Sequence, residues 1–107
     1  MIYSLTQIGE YVKPIAEKYK IPSVYVFGSY AKGEATEDSD IDILIDRSGS
    51  EIKNLFNLAG FCADLEDVLM KAVDVMTVQQ LEQRGASEKI PYLIKAISKE
   101  KVSVYGN

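Results

Sequence analysis

The stretch Tyr25–Asp46, YVFGSYAKGEATEDSDIDILID, restricts the fold more than any other part of the chain. It reads as a strand ending at Phe27, a tight Gly28-Ser29 turn opening a short helix, a polar excursion and a second strand. Side chains on a strand alternate between faces, so Asp40 and Asp42 share one face while Ile41, Ile43 and Ile45 share the other. The second strand therefore has one acidic and one apolar face. At a rise of about 3.3 Å per residue the two Asp Cα atoms lie about 6.6 Å apart. Both carboxylates are then in reach of metal ions about 3.5–4 Å apart. Asp46 has the same parity but stands roughly 13 Å beyond Asp42, so it is expected to end the strand outside the site.

Two neighbouring carboxylates repel each other, and burial raises at least one pKa unless a cation neutralises them. The chain has no His and a single Cys, which removes the usual nitrogen and sulfur ligands of zinc and copper. An oxygen-only site favours Mg²⁺ or Mn²⁺. On the other side of the excursion, Gly28 allows close backbone approach, and the N–H groups that open the short helix make a cradle for phosphate. Ser29 adds a hydroxyl donor. Gly28 and Gly33 have the spacing of a phosphate loop, but Glu34 and Ala35 stand where that loop requires Lys and Ser or Thr.

Around this unit the chain alternates helical and strand patterns. Leu5, Ile8, Val12, Ile15 and Tyr19 repeat at helical spacing after a possible Ser4 cap. Pro14 inside that pattern is expected to kink or divide the helix, and Ile21-Pro22 to end it. Val24 to Phe27, apolar on both faces, predicts a strand covered from both sides. Ser50 is the expected cap of a second helix whose stripe is Leu55, Leu58, Cys62, Leu65 and Leu69, widened by Ile52, Phe61 and Val68. Asp64, Glu66 and Asp67 read as its solvated face. Gly60 inside it costs roughly 0.8–1 kcal/mol relative to Ala unless close packing requires it. Cys62 reads as a small core residue without a disulfide partner.

Lys71 to Thr77, with Val73-Asp74-Val75 at its centre, predicts a third strand with Asp74 on the face opposite the valines. If it pairs beside the Asp40–Asp42 strand, three acids converge. A short helix over Val78–Gln83, a break at Arg84-Gly85-Ala86, a helix from Glu88 to Ser98 capped by Ser87 and a closing edge strand over Val102–Tyr105 complete the reading. Burial is the expected role of Tyr3, Tyr92 and Tyr105.

With 107 residues, the expectation is one domain over residues 1–107 with a modest core. No apolar run approaches the ~18 residues of a membrane span and no charged-then-apolar leader opens the chain, so a cytoplasmic location is expected. The net charge is −4, and no Lys or Arg lies between Glu34 and Asp46, where six of the sixteen acids fall. Such a field repels bare phosphates unless metal ions bridge them and argues against a nucleic-acid surface.

The pattern Gly-Ser, ten spacers, Asp-x-Asp resembles the minimal nucleotidyltransferases of the DNA polymerase beta superfamily, and the likeness extends over almost the whole chain. The resemblance implies an α/β (α+β) nucleotidyltransferase fold, a mixed β-sheet with helices packed against it. At matching positions it implies that Gly28 and Ser29 bind ATP and that Asp40 and Asp42 hold two Mg²⁺ or Mn²⁺ ions. Asp74 would complete the catalytic metal site and help deprotonate the attacking hydroxyl. Lys32 stands where many relatives have Arg and keeps the charge without the bidentate grip on phosphate. The implied reaction moves AMP from a nucleoside triphosphate to a hydroxyl. The chain is too short to supply an acceptor domain, so the acceptor surface is expected from another chain. Small proteins of this type resemble the antitoxin of a HEPN-type toxin pair, in which a toxin tyrosine is adenylylated. Two other readings stand beside it: an antitoxin that acts by contact alone, and a transferase for a small molecule held by a partner subunit.

Overall fold

The computed structural model describes residues 2–81 and 99–106. The first helix, α1 (Leu5–Lys18), opens on a reciprocal cap: the Ser4 hydroxyl accepts from the Gln7 N–H at 3.1 Å and the Gln7 side chain accepts from the Ser4 N–H at 2.8 Å. Its inward stripe buries Ile8, Val12, Ile15 and Ala16. Pro14 does not divide the helix, contrary to its usual effect, because Val12 and Ile15 on either side of it are both seated in the core. The helix ends at Lys18, ahead of Ile21-Pro22, and Lys20 just beyond it has a left-handed φ of 57°. There the Ile21 N–H reaches back to the Ala16 carbonyl at 2.9 Å and the Lys20 N–H to the Glu17 carbonyl at 3.2 Å.

Four strands form one mixed sheet in the order β3-β2-β1-β4. β1 (Ser23–Phe27) pairs antiparallel with β2 (Ile41–Asp46) and with β4 (Val102–Tyr105), while β3 (Val73–Thr77) runs parallel to β2. One face carries Val24, Val26, Ile41, Ile43, Ile45 and Val73 into the main core, against α1 and α3 (Leu55–Leu69). The opposite face bears a smaller cluster of Leu44 and Leu81 with Tyr25, Phe27, Met76 and Val78. β1 is therefore buried on the face of Val24 and Val26 and only half-buried on that of Tyr25 and Phe27, short of the full cover on both sides that its apolar run predicts.

Helix α1 crosses β4 at Gly9, where an added Cβ would stand 2.8 Å from the Val104 carbonyl oxygen. Backbone cannot yield there as a flexible side chain can. Gly9→Ala is expected to destabilise the fold by about 1–3 kcal/mol despite the better helix propensity of Ala, read as a lower urea midpoint.

Asn54, and not Ser50, caps α3, accepting from the Asn57 N–H at 2.9 Å. The Ser50 hydroxyl is committed to its own turn, donating to the Arg47 carbonyl at 2.6 Å and accepting from the Ile52 N–H at 3.1 Å. The inward stripe of α3 is Phe61, Leu65 and Leu69; Leu55 is 76% and Val68 39% exposed, so neither belongs to the core. Gly60 does have a packing reason, because the Tyr19 hydroxyl would stand 3.2 Å from a Cβ there. That hydroxyl is fixed on Asp64 at 2.9 Å, and Asp64 also pairs with Lys18, so Asp64 ties α3 to α1 and is not merely solvated. Residues 78–81 and 99–100 are helical. The rest of the expected Val78–Gln83 helix, the 84–86 break, the 88–98 helix and Tyr92 lie outside the described residues. Tyr3 is buried and Tyr105 half-buried.

Candidate active site

The sheet register brings the site together. Phe27, the last residue of β1, faces Asp42 on β2, and Asp74 on β3 lies directly beside Asp42. Directly paired residues project from the same side, so Asp42 and Asp74 share the face opposite the main core, on strands about 4.8 Å apart. Asp40 lies one residue ahead of β2, which begins at Ile41, and not on the strand as the alternation argument supposes. The Ile41 N–H, donating to the Ala72 carbonyl at 3.1 Å, is where the segment first meets β3. Asp42 is half-buried, while Asp40 and Asp74 are exposed.

Burial pushes the Asp42 carboxyl above the ordinary carboxylate range, and the negative charges of Asp74 and then Asp40 raise it further. Because the folded-state pKa is the higher one, this group stabilises the metal-free fold fully below the ordinary Asp range. That contribution is lost as pH rises through the raised value. In chelator, urea titrations from acid to neutral pH should show stability falling across this window in the native chain and a flatter profile in Asp42→Asn.

Among the described residues no three His, Cys, Asp or Glu side chains are gathered tightly enough to enclose an ion. Asp74 and Asp40 act on Asp42 electrostatically without closing on one point with it. The donor set still suits a hard divalent cation: every donor is a carboxylate oxygen, and the repulsion and burial that raise Asp42 are what such a cation offsets.

Gly28 completes the site from the β1 side. Its φ is +70°, and a Cβ there would collide with Asp42 Oδ2 and stand 3.2 Å from Cγ. A glycine is needed both for the left-handed backbone and for the space the carboxylate occupies. Helix α2 (Gly28–Lys32) starts at this point, with Ser29 in its first turn, half-buried and with its hydroxyl unbonded among the described residues. Lys32 is not gathered in: its ammonium lies 3.5 Å from Glu100 in an exposed pair. Asp46 stays outside as expected, its carboxylate accepting from the Gln79 amide and then from the Ser48 N–H, which hold its pKa below the ordinary value.

Sequence reasoning missed how α3 holds the strand of Asp74. On the edge strand β3, the Val73 N–H donates to the Glu66 carboxylate at 3.0 Å and the Val73 carbonyl accepts from the Cys62 thiol at 3.2 Å. Glu66 thus fastens the peptide ahead of Asp74 and is not part of a solvated face. The four-residue spacing of Cys62 and Glu66, which sets them on one side of a helix, was the available signal. Burial raises the Cys62 thiol pKa, with Glu66 and Asp74 adding to it, which disfavours the thiolate.

Residues 8–104 match the nucleotidyltransferase domain family. MJ1379 of Methanocaldococcus jannaschii, named for protein adenylyltransferase activity, is 32% identical over 97 residues, 91% of this chain and 90% of its own. A solved minimal nucleotidyltransferase structure superposes with a TM-score of 0.67 at 28% identity, covering 94% of this chain and 95% of that one. A crystal structure of a toxin–antitoxin with AMP-PNP superposes with a TM-score of 0.69 over 92% of this chain and 73% of that one; at 19% identity the likeness is one of fold. The chain belongs to the nucleotidyltransferase domain family, among its minimal nucleotidyltransferases.

Proposed function

We propose that this nucleotidyltransferase moves AMP from ATP to a tyrosine hydroxyl of a partner protein, a HEPN-type toxin, and so acts as its antitoxin. The observation that carries the reading is the register that sets the Asp42 carboxylate between Gly28 and Asp74. The protein adenylyltransferase name of its relative and the toxin–antitoxin setting of a fold neighbour with AMP-PNP support the choice of acceptor and nucleotide.

Asp40, Asp42 and Asp74 would hold Mg²⁺ or Mn²⁺. When bound, such ions lower the pKa of the attacking hydroxyl and neutralise the leaving pyrophosphate. The chain's own groups do the rest. The Gly28-Ser29 corner orients the triphosphate through backbone N–H groups and the Ser29 hydroxyl. The acceptor oxygen forms a bond to the α-phosphorus while the bond from that phosphorus to the α–β bridging oxygen breaks, and pyrophosphate departs with the electron pair. With no His in the chain, a carboxylate takes the hydroxyl proton; Asp74, exposed beside Asp42, is the candidate, and it returns the proton to solvent. The acids between Glu34 and Asp46 repel uncomplexed ATP, which makes nucleotide binding depend on the cation. The cytoplasm, which holds both ATP and Mg²⁺, is the proposed location.

The test is to incubate the chain with the toxin encoded beside it, ATP and Mg²⁺, and to weigh the toxin by mass spectrometry. An AMP adduct on a tyrosine is expected. Neutralisation of the toxin by both the native chain and Asp42→Asn, with no adduct at any time, would instead establish an antitoxin that works by contact.

A further inference from the structure

We propose that Lys71 is a positioning residue that fixes the Asp40 segment against the start of β3, and so sets Asp40 relative to Asp74. The inference rests on the reading of Asp40, Asp42 and Asp74 as cation ligands. Asp40 lies outside the strand ladder, at the end of a turn closed by the Ser39 N–H on the Thr36 carbonyl at 3.1 Å and the Thr36 N–H on the Ser39 hydroxyl at 2.9 Å. Those bonds shape the turn but do not attach it to the sheet.

Beyond Asp40 the Ile41 N–H donates to the Ala72 carbonyl at 3.1 Å; ahead of Asp40 the start of β3 is reached through Lys71, three residues ahead of Asp74. Its ammonium donates to the Glu37 carbonyl at 2.7 Å and to the Ser39 carbonyl at 3.4 Å, the latter belonging to the peptide bond that leads into Asp40. An open groove of 520 Å³ runs between the two segments, lined by Glu37, Asp38 and Asp40 on one side and by Met70 and Lys71 on the other. Apolar packing does not close it, since Met70 is 81% exposed. The ammonium spans the gap.

Charge alone and positioning predict opposite signs. Lys71 is a cation close to the site, so in a purely electrostatic role its removal would tighten divalent-ion binding. If it holds Asp40 in place, its removal weakens that binding, as loss of groups that brace a metal ligand does by about 10–100-fold.

Mn²⁺ binding to the full chain, measured as free Mn²⁺ by electron paramagnetic resonance, separates the two without any need for turnover. Lys71→Met is expected to raise the dissociation constant about tenfold. Lys71→Arg, which keeps both the charge and the donors, is expected to recover most of the affinity. Urea unfolding checks that each variant is folded, and Lys71→Gln serves as a second neutral variant. Equal or tighter Mn²⁺ binding in Lys71→Met and Lys71→Gln, or no recovery in Lys71→Arg, overturns the proposal. If Asp42→Asn abolishes binding while the Lys71 variants do not weaken it, only the role of Lys71 falls. If Asp42→Asn binds Mn²⁺ like the native chain, the metal reading falls and takes this proposal with it.

Discussion

Asp42→Asn should abolish AMP transfer, lowering the rate about a thousandfold or more, while leaving the metal-free protein at least as stable as the native chain at neutral pH. Loss of a group that merely braces a metal ligand costs about 10–100-fold. Asp42 is itself the central candidate ligand, with Gly28 on one side and Asp74 on the other. The Asn amide keeps the shape but loses the charge, so cation affinity falls with the rate. Stability moves the other way because the carboxylate is held above its ordinary pKa by burial and by the charges of Asp74 and Asp40; removing the charge relieves that cost. Rate, Mn²⁺ affinity and urea midpoint measured on one preparation check all three. A variant that loses activity because it unfolds would not fit this account.

Gly28→Ala carries the second large effect, and Gly33→Ala is its control. Both glycines are left-handed, at φ +70° and +73°, and placing Ala in that region costs roughly 1–2 kcal/mol. Around Gly33 nothing lies within 4 Å of an added Cβ, so that variant should lose stability only by this backbone term and keep its activity. At Gly28 the same methyl runs into the Asp42 carboxylate. Either the carboxylate turns out of place or the corner that leads into Ser29 moves, and each damages the site. Transfer should fall by roughly a hundredfold or more, a size typical of misplacement by about 1 Å, at a stability cost similar to that of Gly33→Ala. Comparable activity in the two variants would mean that close approach at Gly28 is irrelevant to catalysis.

How much of this was legible in the sequence follows from what each inference depends on. The existence of β1 and β2, the apolar face of Ile41, Ile43 and Ile45 and the turn at Gly28 depend on local alternation and turn chemistry, and these stand as read. The parallel pairing of β3 beside β2 was stated only as a condition, since nothing local fixes which strand Val73–Thr77 joins. Asp40 was misplaced by one position: alternation does not say where a ladder begins, and here it begins at Ile41. Ser50 has the chemistry of a cap, but its hydroxyl closes a turn on Arg47 and leaves the helix start to Asn54. Pro14 has a local cost that buried residues on both sides outweigh. Glu66 was read as solvated because its bond to Val73 exists only once α3 has packed against the start of β3, and the Lys71 bonds exist only once β3 lies beside the segment that leads into β2. For Pro14, Glu66 and Lys71 a tertiary contact decided the outcome, whereas for Ser50 a local turn did.

The proposed transfer can be followed directly with ATP labelled in turn at the α-phosphate and the γ-phosphate, incubated with Mg²⁺, the chain and the toxin proposed as its partner. The account predicts α-label fixed on the toxin, γ-label released as pyrophosphate, and neither event with Asp42→Asn. Label passed from the γ-position to the toxin, or α-label transferred equally well by Asp42→Asn, would contradict it.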